Sequence, residues 1–206
     1  MLDNIEEVLR QHEVKPLGKQ RKYAVLLPLI EREGEWHILY EVRSKNISQP
    51  GETSFPGGAV EKGETYEAAA IRETMEELNI ARERIKVLGE IDYVASEYIL
   101  IHCFVGVLNL SFEDIRYNEE VAELFTVPLH YFMNHQPTYY VSEYMLKHPE
   151  DFPYEMIPNG RKYKFRPGQR RIPFYQLRGH SLWGVTASLT DHFIDLITPK
   201  NKETSS

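Results

Sequence analysis

Three glutamates, Glu73, Glu76 and Glu77, constrain this chain more than any other feature. In a helix they stand at i, i+3 and i+4, so their carboxylates share one face. Like charges at that spacing cost roughly 0.2–0.5 kcal/mol per pair. Such a face needs a compensating charge. Arg72, one residue before Glu73 and four before Glu76, is one source of it. A hard divalent cation with oxygen ligands, Mg²⁺ or Mn²⁺, is another. Ala68, Ala69 and Ala70 give the helix a slim face for packing on a sheet. Thr65 is the expected N-cap, Glu67 suits the positive helix start, and Asn79 tolerates the left-handed conformation that ends helices. The spacing therefore predicts a helix over 65–78, entered from a loop in which Gly57, Gly58 and Gly63 permit tight turns and close backbone approach.

The rest of the chain interleaves strands and helices, which predicts mixed α and β layers. Residues 2–12 read as a short amphipathic helix from Leu2, Ile5, Val8 and Leu9. Strands are expected at Tyr23–Ile30 and Trp36–Val42, then at Ile85–Tyr93, Leu100–Leu110 and Glu120–Val127, with a short helix from Pro128 to Asn134. Ser44–Glu52 reads as a loop. Tyr163–Arg166 and Ile172–Gln176 read as a hairpin, and Leu182–Ile197 as an amphipathic helix in which Trp183 and Gly184 pack. Residues 135–160, rich in Pro, Tyr and His, carry the weakest pattern; pairing with a second copy of the chain is one reading of their tyrosines. The division expected is a helix and lead-in over 1–22, one domain over 23–197 and a polar tail over 198–206.

Composition narrows the function. The single cysteine, Cys103, excludes an intrachain disulfide framework and a multi-cysteine metal site; with His102 it lies on a core strand and reads as structural. The longest apolar run is far shorter than the roughly 20 residues of a membrane span. The acidic start, with Asp3, Glu6 and Glu7, does not read as a secretory leader, so a cytoplasmic location and no membrane partner are expected. A net charge of −7 disfavours nucleic-acid binding. Against that acidic background, residues 161–178 hold seven bases and no acid. They could receive an anionic ligand or pair with acids elsewhere.

The segment resembles the Nudix box: Gly, five residues, Glu, seven residues, Arg-Glu, an aliphatic, any residue, Glu-Glu, any residue, Gly, an aliphatic. Gly58, Glu64, Arg72, Glu73, Glu76, Glu77 and Ile80 fit at these spacings, while Thr74 replaces the aliphatic and Asn79 the glycine. The resemblance implies an α/β/α sandwich with a mixed sheet and hydrolysis of a diphosphate linked to another moiety. It also implies that Glu73, Glu76 and Glu77 bind divalent metal, with the Gly58 carbonyl as a backbone ligand. Arg72 would then orient Glu73, and Glu64 would support the loop. The general base varies among Nudix proteins; Glu76 is one candidate, and Glu119 or Glu120 in Tyr117–Val121 is another, with capping of the next strand as its alternative.

Upstream, Arg43, Ser44, Gly51, Glu52, Phe55, Pro56, Gly57 and Gly58 resemble the second motif of the coenzyme A pyrophosphatase branch, and Leu182–Ala187 resembles its Trp-Gly-x-Thr-Ala run. Asn46–Pro50 departs from that branch. The substrate so implied is coenzyme A, cleaved to 3′,5′-ADP and 4′-phosphopantetheine. Arg43, Ser44, Phe55 and Arg170 are candidate binding residues, and aromatic residues of 161–178 could stack a base or cover the pantetheine arm. For Arg43 the alternative is an ion pair with a box glutamate. Hydrolysis of another small nucleoside diphosphate derivative, such as ADP-ribose or NADH, and a non-catalytic nucleotide sensor are the competing readings.

Overall fold

A computed structural model describes residues 1–198 of the 206; the expected tail beyond Thr198 lies outside the described residues. The main sheet holds β1 (Arg21–Arg32), β2 (Glu35–Arg43), β3 (Thr53–Ser54), β4 (Gly57–Ala59), β5 (Ile85–Ala95), β6 (Ile99–Leu108) and β7 (Val121–Pro128). Its main path runs β3-β2-β1-β6-β5, with β4 paired to β1 and β7 to β2. β1 and β6 are parallel and the other pairs antiparallel, so the sheet is mixed.

Strand periodicity divides the core into two layers. On β1, Ala24, Leu26 and Ile30 face helix α2 (Tyr66–Leu78), where they meet Ala69, Ala70 and Leu78. The intervening Leu27 and Leu29 face the other way, toward α3 (Leu129–Asn134) and α4 (Gly184–Ile197), with Phe132, Leu189 and Phe193. β2 obeys the same parity: Ile38 and Tyr40 join the α4 side, and Leu39 the α2 side. Cys103 is buried on the α4 side, whereas His102 stacks on Tyr66 at 3.7 Å. The N-terminal helix α1 (Leu2–Gln11) forms as expected, but Leu2, Ile5, Val8 and Leu9 join neither core layer and stay exposed.

Two expectations need correction. Tyr163–Arg166 is not half of a hairpin. Instead β9 (Gly168–Gln176) pairs with β8 (Thr138–Tyr144) on one side and β10 (Ser181–Trp183) on the other, giving a second, three-stranded antiparallel sheet. Phe165 packs into an aromatic cluster with His148 and Tyr163, and Pro167 interrupts the chain before β9 can begin. The C-terminal helix also starts later than Leu182. Trp183 closes β10, and Gly184 turns the chain at φ +66° into α4.

Candidate active site

α2 is built from the signals that delimit it. Thr65 Oγ1 accepts the Ala68 N–H at 3.1 Å. Asn79 takes the left-handed conformation (φ 49°, ψ 46°), and Ile80 folds back with its N–H donating to the Met75 carbonyl. Thr74, fully buried where the family pattern has an aliphatic residue, satisfies its hydroxyl by donating to the Ala70 carbonyl at 2.7 Å.

Arg72 organises the acidic face. Its Nε and Nη2 grip both oxygens of Glu64 at 3.0 and 3.1 Å, and Nη2 also reaches the Ala59 carbonyl at 3.1 Å. Nη1 donates to Glu73 at 2.8 Å and to Glu76 at 3.3 Å. This guanidinium holds the Glu64 carboxyl below the usual range, and Glu64 in turn raises the arginine further above its own.

Gly58 lies opposite Ala24 in the β4–β1 ladder. A Cβ there would fall 2.4 Å from the Glu73 carboxyl group, so only glycine lets that carboxylate lie against the strand. Gly57 is equally confined: a Cβ would meet the Ala24 carbonyl oxygen at 2.4 Å. Its N–H donates to Glu77 Oε2 at 2.8 Å, and Glu77 is buried at 3% exposure.

A further acid outside the box motif joins the cluster. Glu41 continues the parity of Leu39 and so points from β2 to the α2 side, where it is 1% exposed. Ser54 Oγ donates to one of its oxygens at 2.8 Å; the other is buried without a hydrogen-bond partner among the described residues. The signal was present as one charge inside the apolar run of β2. Burial raises the carboxyls of Glu41, Glu73 and Glu77 above their ordinary range. The charge of Glu120 adds to the rise in all three, which brings that exposed loop residue into the same electrostatic field. Strand capping in the loop falls to Asn118, whose side-chain oxygen accepts the Glu120 N–H at 2.8 Å.

Among the described residues no three acids or histidines are already gathered as a ligand cage; Arg72 and the Gly57 N–H hold the carboxylate oxygens. The chemistry of the set nevertheless fits a hard divalent cation: all donors are oxygen, three carboxyls resist ionisation, and one buried oxygen is orphaned.

The acidic cluster borders a cleft of about 430 Å³ whose lining includes Arg43, Phe55, Gly57, Gly58, Arg170 and Trp183. Arg43 makes no ion pair with a box glutamate among the described residues; its Nε donates to the Ser48 carbonyl at 2.8 Å. Ser44 does not line the cleft. A register shift at Val42/Arg43 turns it inward, where its N–H donates to the Glu120 carbonyl at 2.8 Å. Trp183, expected to pack within a helix, instead forms part of the wall. The bases of 161–178 form no ion pairs among the described residues; Arg161 and Arg171 lie over the rings of Tyr154 and Tyr139.

A family model described as the NUDIX domain matches residues 20–148. A peroxisomal coenzyme A diphosphatase of Mus musculus is 36% identical over 122 residues, 58% of this chain and 51% of that protein, so the match spans about half of the relative's length. A mitochondrial coenzyme A diphosphatase of Homo sapiens is 28% identical over 182 residues, 85% of this chain and 69% of that one. The crystal structure of a MutT/nudix family protein from Enterococcus faecalis covers 96% of this chain and 70% of its own at 15% identity and a TM-score of 0.50, a likeness of fold alone. No described helix is long and apolar enough to cross a membrane.

Proposed function

The chain belongs to the Nudix hydrolase family, and from that premise we propose that it hydrolyses the diphosphate of coenzyme A or its derivatives to 3′,5′-ADP and 4′-phosphopantetheine. The observation that carries the reading is the buried acidic cluster set against a glycine strand at the edge of a cleft. The relatives named above support the choice of substrate. Residues 23–197 are taken as one functional unit, because the cleft is walled both by the main sheet and by residues 170–189.

Nudix hydrolases work with divalent metal; in this proposal Glu73, Glu76, Glu77 and the Gly58 carbonyl hold Mg²⁺ or Mn²⁺. When bound, the cation neutralises phosphate charge and makes a water easier to deprotonate. Arg72 keeps Glu73 and Glu76 aimed along one face of α2. Arg43, held by Ser48 at the cleft wall, binds diphosphate oxygens. Glu76, more than half exposed, or Glu120 accepts the proton of the attacking water. The reaction adds that water across one P–O–P linkage: a new P–O bond forms, the bridging P–O bond breaks, and a proton is released.

The test is a product analysis with coenzyme A, ADP-ribose, NADH and a dinucleoside polyphosphate, each with Mg²⁺, Mn²⁺ or a chelator. The expected result is metal-dependent release of 3′,5′-ADP from coenzyme A, with the other compounds cleaved more slowly. Preferential cleavage of ADP-ribose or NADH would replace the substrate but keep the reaction. Metal binding without turnover of any compound would make the chain a sensor. Within the site, Gly58→Ala should preserve the far-UV circular dichroism spectrum yet reduce kcat by about 10–100-fold, the usual loss when a ligand's support is disturbed, because the new Cβ displaces the Glu73 carboxylate.

A further inference from the structure

The small sheet presents one face that belongs to neither core. In the antiparallel register Ser142 lies opposite Arg170, Tyr140 opposite Ile172, Thr138 opposite Phe174, and Trp183 opposite Phe174. Opposed residues project to the same side, so Tyr140, Arg170, Phe174 and Trp183 share a face. The alternate residues point to α4, where the Tyr139 and Tyr175 hydroxyls both donate to Asp191, at 2.5 and 3.1 Å. On the outward face the rings of Phe174 and Trp183 stack at 5.6 Å and 13°, and Tyr140 meets Phe174 edge-on at 5.4 Å. Trp183 and Phe174 remain 38% and 37% exposed, and Tyr140 60%. This aromatic strip is continuous with the cleft, since Trp183 and Arg170 line both. Arg170 makes no ion pair among the described residues.

We propose that this face is the subsite for a 3′-phosphorylated adenosine, with the adenine stacked on Trp183 and the 3′-phosphate held by Arg170. The inference rests on the coenzyme A reading above and assigns one end of that substrate to one wall of the cleft. An apolar arm would be served by the aromatic rings alone and would leave the guanidinium without a purpose. A ligand that is at once flat, aromatic and dianionic uses both. The diphosphate then lies between this wall and the acidic cluster across the cleft, and the pantetheine arm leaves along the other lining residues, among them Tyr23, Ile99 and Ile101.

The test separates this subsite from the activity. Trp36→Phe leaves Trp183 as the only indole of the two in the chain. In that background 3′,5′-ADP and 5′-AMP are titrated without metal, by indole fluorescence and calorimetry. Quenching of Trp183 is expected, with 3′,5′-ADP bound about tenfold or more tightly than AMP, as a hydrogen-bonded charge warrants. Arg170→Gln should abolish that preference, and Trp183→Ala should weaken both ligands. In turnover, Arg170→Gln should raise KM for coenzyme A about tenfold while KM for 3′-dephospho-coenzyme A moves less than twofold; a merely structural arginine would affect both alike. Equal binding of the two nucleotides, or displacement of the quench by 4′-phosphopantetheine, overturns the proposal even if coenzyme A is cleaved. If coenzyme A is not cleaved but the nucleotide preference and its loss in Arg170→Gln persist, the subsite stands and the substrate assignment falls.

Discussion

Glu77→Gln is expected to leave the metal-free protein folded and to lower kcat by at least about 100-fold. The Gly57 N–H needs only an oxygen acceptor, which the amide of glutamine supplies at the same place. Burial, and beside it the charges of Glu41, Glu73 and Glu120, disfavour an ionised carboxylate at this place, and a neutral amide avoids that cost. Metal-free thermal stability should therefore hold or rise. Turnover behaves differently. Disturbing the support of a metal ligand costs about 10–100-fold, and losing a ligand outright costs more. Melting curves with and without Mn²⁺, beside steady-state rates, check both halves. Stability unchanged with activity within tenfold of the parent would make Glu77 a strand-to-helix tie and not a ligand.

The second large effect is on stability. Tyr40 is fully buried, stacked between Phe55 at 5.2 Å and Phe125 at 5.3 Å, with its hydroxyl 3.0 Å from Thr190. Thr190 Oγ1 already donates to the Thr186 carbonyl, so Tyr40 is the donor in this pair. Tyr40→Ala removes both stacks and the hydrogen bond and opens a cavity, at a cost of about 3–5 kcal/mol, or about 6–20 °C in Tm for a chain of this size. Tyr40→Phe keeps the stacks and should cost about 0.5–1.5 kcal/mol. A Tyr40→Ala loss no greater than that of Tyr40→Phe, by denaturant or thermal melting, would show that the surrounding rings collapse into the gap.

The elements that local rules govern were legible in the residues. The α2 helix, its Thr65 cap and its Asn79 ending follow from spacing and backbone preference, and so does the pairing of Arg72 with the acids around it. Glu41 was not legible in that way. Its importance depends on strand parity combined with the helix packed above, and parity assigns a face only once the sheet is known. The small sheet was harder still. β8 is exposed at every position, so it carries no inside-outside alternation from which to read a strand. Its partner β9 lies beyond a long irregular stretch with its own aromatic cluster around His148 and Phe165. Trp183 reads as a helix residue because the apolar spacing of α4 extends back through it; the positive φ of Gly184 is what detaches it.

The order in which the cleft walls occur along the chain has a consequence for synthesis. All strands of the main sheet lie before residue 129, whereas the opposite wall, Arg170 and Trp183 through Leu189, comes more than forty residues later. A polypeptide emerging from the ribosome can therefore pair the seven strands and bring the acidic residues together while one side of the cleft is still missing. Thr186 then closes it by donating to the Thr53 carbonyl at 3.1 Å, beside the Ser54 that holds Glu41. The cleft is thus completed late, after the charged centre has formed.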